Sequence, residues 1–366
     1  MKYIDEYRDK EQVKVLVDAI HKIVMHPWHI MEICGGQTHA ISRYRIEEML
    51  PQNIKLLYGP GCPVCVTPVE TVDYALDIAK QPNVIFTSFG DMMRVPGTSE
   101  DLLTVKAKGA DVRMLYSPLD AVELAEKNPD KEVVFFAVGF ETTIPVYLTA
   151  VKEAKRRGLI NFSLITSLFT VPAAIDAILS DKENKVDGFL TAGHVCAITG
   201  NKDYYPLVEK YHKPMVVTGF EPIDLLYGIY RCILQLEEEE ARVENAYTRV
   251  VAEEGNPVLI SLMNEMLEPF DQHWRGIGQI RASGLQLRKE YKEYDARWRF
   301  PQDKIANSLL SKINELSLAC IAGDIMKGNK QVSDCPYFGV SCNPENPIGA
   351  PMVSTEGVCA AYYNYK

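Results

Sequence analysis

The chain has 366 residues, of which 47% are apolar and 24% charged. That is ordinary globular usage and excludes disorder as the main state. A formal charge of −10 makes the chain a poor polyphosphate binder, so nucleic acid is not expected as its main partner. The longest apolar run, Val133–Phe140, is far short of a membrane span. The opening stretch, Met1 to Met25, mixes acidic and basic residues with no apolar core, so no secretory signal is visible. A reducing, cytoplasmic setting is expected. There the nine cysteines read as metal ligands or redox groups before structural disulfides.

The first element, EQVKVLVDAIHKIVM (11–25), has apolar residues at helical spacing. IMEICGG (30–36) reads as a short strand running into a glycine turn. NIKLLYGPGCPVC (53–65) repeats that plan with cysteines in a Gly/Pro-rich loop. TPVETVDYALDIAK (67–80) then predicts a helix with Thr67 as N-cap, Pro68 in the first helical position and Glu70 completing a capping box. Strand-like stretches follow at 83–91, 111–117, 132–141, 161–167, 186–194 and 214–221, with helical stretches such as 145–157 between most of them. Such alternation predicts parallel sheets with crossover helices. The nearly unbroken apolar runs predict strands covered on both faces. VGFETT (138–143) and TGFEPI (218–223) both end a strand with Gly-Phe-Glu. Two similar α/β units in tandem would produce this, and so would chance. LQLEEEEARVENAYTRVVAEE (234–254) reads as a long charged helix with a solvated face. The remainder, 255–366, carries four cysteines in a Pro/Gly/Asn-rich tail that needs a metal or cluster to order it.

Three cysteine groups carry candidate chemistry. Cys34 stands directly before two glycines in CGGQTH (34–39), where backbone N–H groups and a ligand can approach closely. The alternative is a buried core thiol at a strand end. His39 lies five residues on. Cys62 and Cys65 form a Cys-x-x-Cys just before a predicted helix, whose N-terminus lowers thiol pKa values. The spacing permits a reversible disulfide, and half of a zinc site is the rival reading. Cys320, Cys335, Cys342 and Cys359 follow the spacing C-x14-C-x6-C-x16-C. Four thiolates there suit an iron–sulfur cluster or zinc, though the paired short spacings of structural zinc are missing. Cys232 and Cys196 read as packing residues. His194, Asp91 and Glu141 follow strand C-termini, where ligands of open α/β sheets bind. Thr142 or Thr143 equally reads as a cap of the next helix. Neither dinucleotide nor P-loop glycine motif is present.

These fragments together resemble the HypD family of hydrogenase maturation (formation) factors. The resemblance is carried by ICGGQTHA (33–40), YGPGCPVCVTP (58–68), FGDMMRVPG (89–97), VGFETT (138–143), GHV (193–195), GFEP (219–222), WRGIGQIRASGLQLR (274–288) and DCPYFGVSCNPENPIGAPMVSTEGVCAAYY (334–363). Cys196 stands where a small residue such as Ser is expected, and Asn343 where Thr is expected. The expected architecture is α/β: two similar Rossmann-like parallel-sheet domains at 53–148 and 149–232, plus a mostly helical, loop-rich domain of 1–52 and 233–366. The resemblance implies a scaffold for the Fe(CN)2CO unit of nickel–iron hydrogenase. It implies a [4Fe-4S] cluster on Cys320, Cys335, Cys342 and Cys359, and iron(II) carrying cyanide and carbon monoxide on Cys34. Cys62 and Cys65 would be a redox pair or iron ligands. His39, His194, Glu141 and Thr142 would shape the cleft or move protons. The implied partners are the small chaperone HypC and the cyanide donor HypE. The rival classes are a stand-alone thiol oxidoreductase and a zinc-stapled binding module.

Overall fold

The computed structural model describes residues 4–301 and 319–365. Its strands are β1 (Trp28–Glu32), β2 (Ile54–Tyr58), β3 (Val84–Ser88), β4 (Val112–Met114), β5 (Glu132–Gly139), β6 (Phe162–Phe169), β7 (Gly188–Ala192), β8 (Met215–Thr218), β9 (Val243–Asn245), β10 (Leu267–Trp274) and β11 (Gly278–Leu287). They form two sheets. One has the order β2-β1-β7-β8-β9 and is parallel throughout. The other has the order β10-β11-β6-β5-β3-β4. Its β6-β5-β3-β4 part is parallel, and an antiparallel β10–β11 hairpin closes the β6 edge. The α/β class is as expected, with one sheet parallel throughout and the other mixed. Strands β3, β5, β6, β7 and β8 are buried almost end to end, as their apolar runs require.

Both sheets follow the same doubly wound plan. Counted along the chain, the first sheet runs second, first, third, fourth, fifth. The parallel part of the second sheet runs second, first, third, fourth. A right-handed crossover from each first strand in opposite directions produces this order, and it opens a crevice between the first and third strands. The two units are nested, not tandem. The chain leaves the first sheet after β2, builds β3 to β6, and returns to it at β7. Segment 53–148 is therefore split, because β2 lies in the first sheet. Segment 149–232 is split as well, because β6 pairs with β5 in the second. The Gly-Phe-Glu pair also falls on non-equivalent strands: it follows β5, third of its sheet, and β8, fourth of the other. The architecture is duplicated, but those three residues do not mark the duplication.

Two local expectations are corrected. The helix expected over 234–254 stops early: helix Pro222–Glu237 ends there, Glu239 takes a left-handed φ of 55°, and β9 follows. Thr67 does not cap the helix Val69–Ala79. Pro63 starts its own turn, Pro63–Val66, and Thr67 closes it by donating from Oγ1 to the Pro63 carbonyl at 2.8 Å. One apolar core runs between the sheets, joining Met31 and Leu57 of the first to Phe86 and Val134 of the second.

Candidate functional site

Cys34 and His194 follow β1 and β7, the first and third strands of the parallel sheet. They stand at the point where the winding direction reverses, the usual ligand position in such sheets. The Cys34 Sγ lies 3.5 Å from His194 Nδ1. No glycine turn follows β1; instead Cys34 is the N-cap of helix Gly35–Arg43, and the two glycines are its first residues. Their small size has a specific use. A Cβ on Gly35 would come 2.5 Å from Glu356 Cβ, and one on Gly36 would come 3.2 Å from the Phe220 ring. Phe220 in turn lies against His194, with ring centroids 5.3 Å apart. Gln37 is fully buried and ties the helix to the ends of β7 and β8 by donating to the Thr191 and Thr218 carbonyls.

The Cys-x-x-Cys loop reaches Cys34 by backbone contact. Gly59 N–H donates to the Glu32 carbonyl at 2.8 Å, and Gly35 N–H donates to the Gly61 carbonyl at 3.0 Å. A Cβ on Gly61 would run into the backbone of Ile33 and Cys34. Cys62 follows immediately. Cys62 and Cys65 are joined as a disulfide, and Cys62 caps the short Pro63–Val66 turn. Cys34 remains a free thiol, 1% exposed.

Burial pushes every titratable group beside Cys34 toward its neutral form. Desolvation raises Glu32, fully buried, to about 8 against the opposing hydrogen bonds from Thr38 and the Cys34 N–H. The Cys34 thiol is raised well above its ordinary value, by burial first and by Glu32 second. Burial lowers His194 to about 4, so its imidazole is neutral at pH 7. Glu32, Gln37 and Phe220 were not marked as site residues by the sequence. An acid inside the apolar run HIMEIC was the available signal for Glu32.

The other expected residues are placed elsewhere. His39 faces the tail: its ring nitrogens meet the Thr355 carbonyl at 3.4 Å and the Tyr365 hydroxyl at 3.2 Å. Glu141 follows β5, third strand of the second sheet, and lines a separate cavity of 900 Å³ with Lys202 and Asp203. Its Oε1 accepts from the Val171 N–H at 2.9 Å, while its Oε2 is buried with no partner among the described residues. Burial raises Glu141 to about 8. Thr143 precedes helix Ile144–Arg156 without a side-chain capping bond, and Thr142 Oγ1 is buried and unpartnered among the described residues. Asp91 accepts from the Ser354 hydroxyl at 2.9 Å, pinning the tail to the second sheet. Cys232 is packing, buried against Gly188; Cys196 is fully buried.

The tail gathers its four cysteines. Cys359 is raised by burial and then by Cys320, Cys342 and Cys335, and Cys320 is raised by burial and by Cys342 and Cys335. Cys320 and Cys359 therefore each feel the charge of other tail thiols. The Ile348 N–H points at Cys342 Sγ at 3.4 Å, and Gly349 leaves room for Cys320 Sγ, 2.5 Å from where a Cβ would stand. Among the described residues no three His, Cys, Asp or Glu side chains are arranged to hold a metal ion. Four soft thiol donors, with an N–H turned toward one sulfur, suit a cluster by donor chemistry. Among the described residues no helix is long and apolar enough to cross a membrane.

Fold and site thus define an α/β protein with a buried thiol at a sheet's switch point, beside a disulfide loop and a four-cysteine tail. Comparison with known families makes this specific. Residues 11–366 match the HypD family model, described as "Hydrogenase formation hypA family". The chain is 44% identical to the hydrogenase maturation factor HypD of Rhodobacter capsulatus, covering all of this chain and 98% of that protein. It is 43% identical to HypD of Azotobacter vinelandii and 40% identical to HypD of Escherichia coli K12, covering all of this chain and 97% and 98% of those proteins. The chain belongs to the HypD family of hydrogenase maturation factors.

Proposed function

We propose that this chain is the scaffold on which the Fe(CN)2CO unit of nickel–iron hydrogenase is assembled, with Cys34 anchoring the iron. The observation that carries this reading is the free, buried Cys34 thiol at the switch point, facing His194 at 3.5 Å with the disulfide loop packed on its backbone. A thiolate is a soft ligand suited to iron that carries cyanide and carbon monoxide. One thiolate leaves the iron open to a second from the small chaperone HypC and to diatomic ligands. Binding releases the Cys34 proton to solvent, because burial lowers the neighbouring His194 to about 4 and keeps its imidazole neutral.

Cyanide arrives from HypE as a thiocyanate, R–S–C≡N. Its release takes two electrons and gives a thiolate and cyanide. The reduced Cys62–Cys65 pair supplies both electrons by closing to the disulfide, and gives up two protons. Cys320, Cys335, Cys342 and Cys359 would hold a [4Fe-4S] cluster, which supplies single electrons when bound. Burial behind the Gly59–Pro60–Gly61 loop and Phe220 keeps cyanide from water.

The test is infrared spectroscopy of the chain purified with its partners. Cys34→Ser replaces a soft sulfur by an oxygen of nearly equal size and much higher pKa. The variant is expected to fold and bind its partner but lose the bands of iron-bound cyanide and carbon monoxide. Bands at wild-type intensity would remove Cys34 as anchor and make Cys62 and Cys65 the leading iron ligands.

A further inference from the structure

The turn between β10 and β11 carries a charge that the reading above does not use. Arg275 follows Trp274, which is fully buried. Its backbone N–H donates to the carbonyl of Val66, the residue after Cys65, at 2.8 Å. Its guanidinium Nη1 donates to the Pro96 carbonyl at 3.0 Å. The next residue, Gly276, has φ +77° and lies directly on the backbone of Gly323, leaving no room for a Cβ on either. Gly323 opens the tail three residues after Cys320. The turn is therefore wedged between the disulfide's helix and the segment that bears the first tail cysteine.

Arg275 is partly buried, and among the described residues it makes no ion pair with a carboxylate. A guanidinium keeps its proton under all ordinary conditions, so it cannot escape burial by becoming neutral. A buried charge without a counter-charge is costly. The largest negative influence on Arg275 is Cys320, ahead of Asp73 and Glu70. The cation thus acts on Cys320 as well as on Asp73 and Glu70, and it lowers the Cys320 thiol in turn, while the contact of Gly276 with Gly323 holds its turn against the segment that bears Cys320. Four thiolates around a [4Fe-4S] core carry a net charge of two minus when oxidised and three minus when reduced. That is the counter-charge the guanidinium lacks, and it grows by one unit on reduction.

We propose that Arg275 is the counter-cation of the four-cysteine site, set between it and the Cys62–Cys65 disulfide, and that it makes an iron–sulfur cluster there easier to reduce. The inference rests on the cluster reading of the tail. An electron added beside a fixed cation is held more tightly than one added beside a neutral group, so the cation raises the reduction potential.

The experiment uses the full chain, reconstituted anaerobically with iron and sulfide, as wild type, Arg275→Gln and Arg275→Lys. Iron and sulfide content is measured first. The midpoint potential is then read by titration with dithionite, following the signal of the reduced cluster by electron paramagnetic resonance. All three proteins are expected to take up iron and sulfide. At the wild-type midpoint, Arg275→Gln should show a reduced-to-oxidised ratio about tenfold lower, a shift of about 59 mV for a one-electron couple. Arg275→Lys, which keeps the charge, should stay within about threefold of wild type, half that shift on a logarithmic scale. Coincident potentials for wild type and Arg275→Gln would overturn the proposal. So would Arg275→Lys displaced by tenfold or more, and that arm decides the matter alone should Arg275→Gln not fold. Failure of the wild type itself to take up iron and sulfide would overturn the cluster reading, a result distinct from equal potentials in loaded proteins.

Discussion

Replacing Glu141 by Gln should stabilise the protein near neutral pH, against the usual direction for a buried polar substitution. Glu141 is 3% exposed, and burial raises it from 4.5 to about 8. The folded chain therefore holds a proton that the unfolded chain releases between those values. Stability from this group is complete below pH 4.5 and is lost progressively as pH rises to 8. At pH 7 the loss spans about 2.5 pH units, roughly 3 kcal/mol at 1.36 kcal/mol per unit. The amide of Gln does not titrate. Its oxygen keeps the bond from the Val171 N–H, and its NH2 replaces an Oε2 that has no partner either, so little is lost in exchange. For a chain of this length, 3 kcal/mol is a rise in Tm of roughly 4 °C. Calorimetry of both proteins at pH 5, 7 and 8 reads it directly. The gain should be near zero at pH 5 and fullest at pH 8. Glu32 carries the same shift, so the variant should keep a smaller slope of the same sign. Parallel curves for the two proteins from pH 5 to 8 would show that Glu141 is ionised in the folded state and refute the reasoning.

Gly61→Ala forces a methyl into the backbone of Cys34; it should cost about 1–3 kcal/mol in denaturant unfolding and expose Cys34 to alkylation, which it resists at 1% exposure. Cys335→Ala or Cys342→Ala should abolish iron uptake and open the tail to limited proteolysis, because metal binding and local folding are coupled. Stoichiometric zinc without iron in anaerobic wild-type protein would remove the cluster reading. Iron affinity at Cys34 should rise about tenfold per pH unit between pH 6 and 8, because the bound form is the thiolate and the free thiol is raised well above 9; a flat profile by competition titration would place the iron on another ligand.

The cysteines were legible because each sits in an unusual local context. Cys34 precedes two glycines, Cys62 and Cys65 share a proline-bounded loop, and four more lie in a segment poor in apolar pattern. The nesting of the sheets was not legible. Strand composition specifies burial but not partners, and the pairing of β1 with β7 joins residues 30 and 188. Thr67 reads as an N-cap because Pro68 and Glu70 imitate a capping box, but Pro63, four residues before it, begins a turn that uses Thr67 as its end. The acidic run after residue 234 reads as helix from composition alone. The helix stops there because Glu237 turns back to accept from the Met25 and His26 N–H groups and from the Trp28 indole, and those bonds fix its end to β1. Sequence proximity groups His39 with Cys34, but on a helix five residues separate two side chains by well over a full turn, and the ring faces the tail instead.

The neutrality of the Cys34 site limits what it will accept. Glu32 is held protonated to about pH 8, His194 is uncharged above about 4, and the Cys34 thiol is protonated through the neutral range. A bare iron(II) ion placed there would bring two positive charges into a buried region that offers one releasable thiol proton nearby. Two thiolates, one from Cys34 and one from a partner, would cancel that charge, so the proposed iron would be best accommodated if the partner brought its own sulfur. In the proposed assembly each cyanide would then add a negative charge, and the unit would reach two minus after the second. An ionised Glu32 would oppose that change at close range; a protonated one does not. The single N–H aimed at Glu32 from Cys34 and the hydroxyl of Thr38 are too few to ionise the acid against its burial. The same burial that makes Cys34 a weak acid would therefore keep its surroundings tolerant of the proposed anionic iron–cyanide unit.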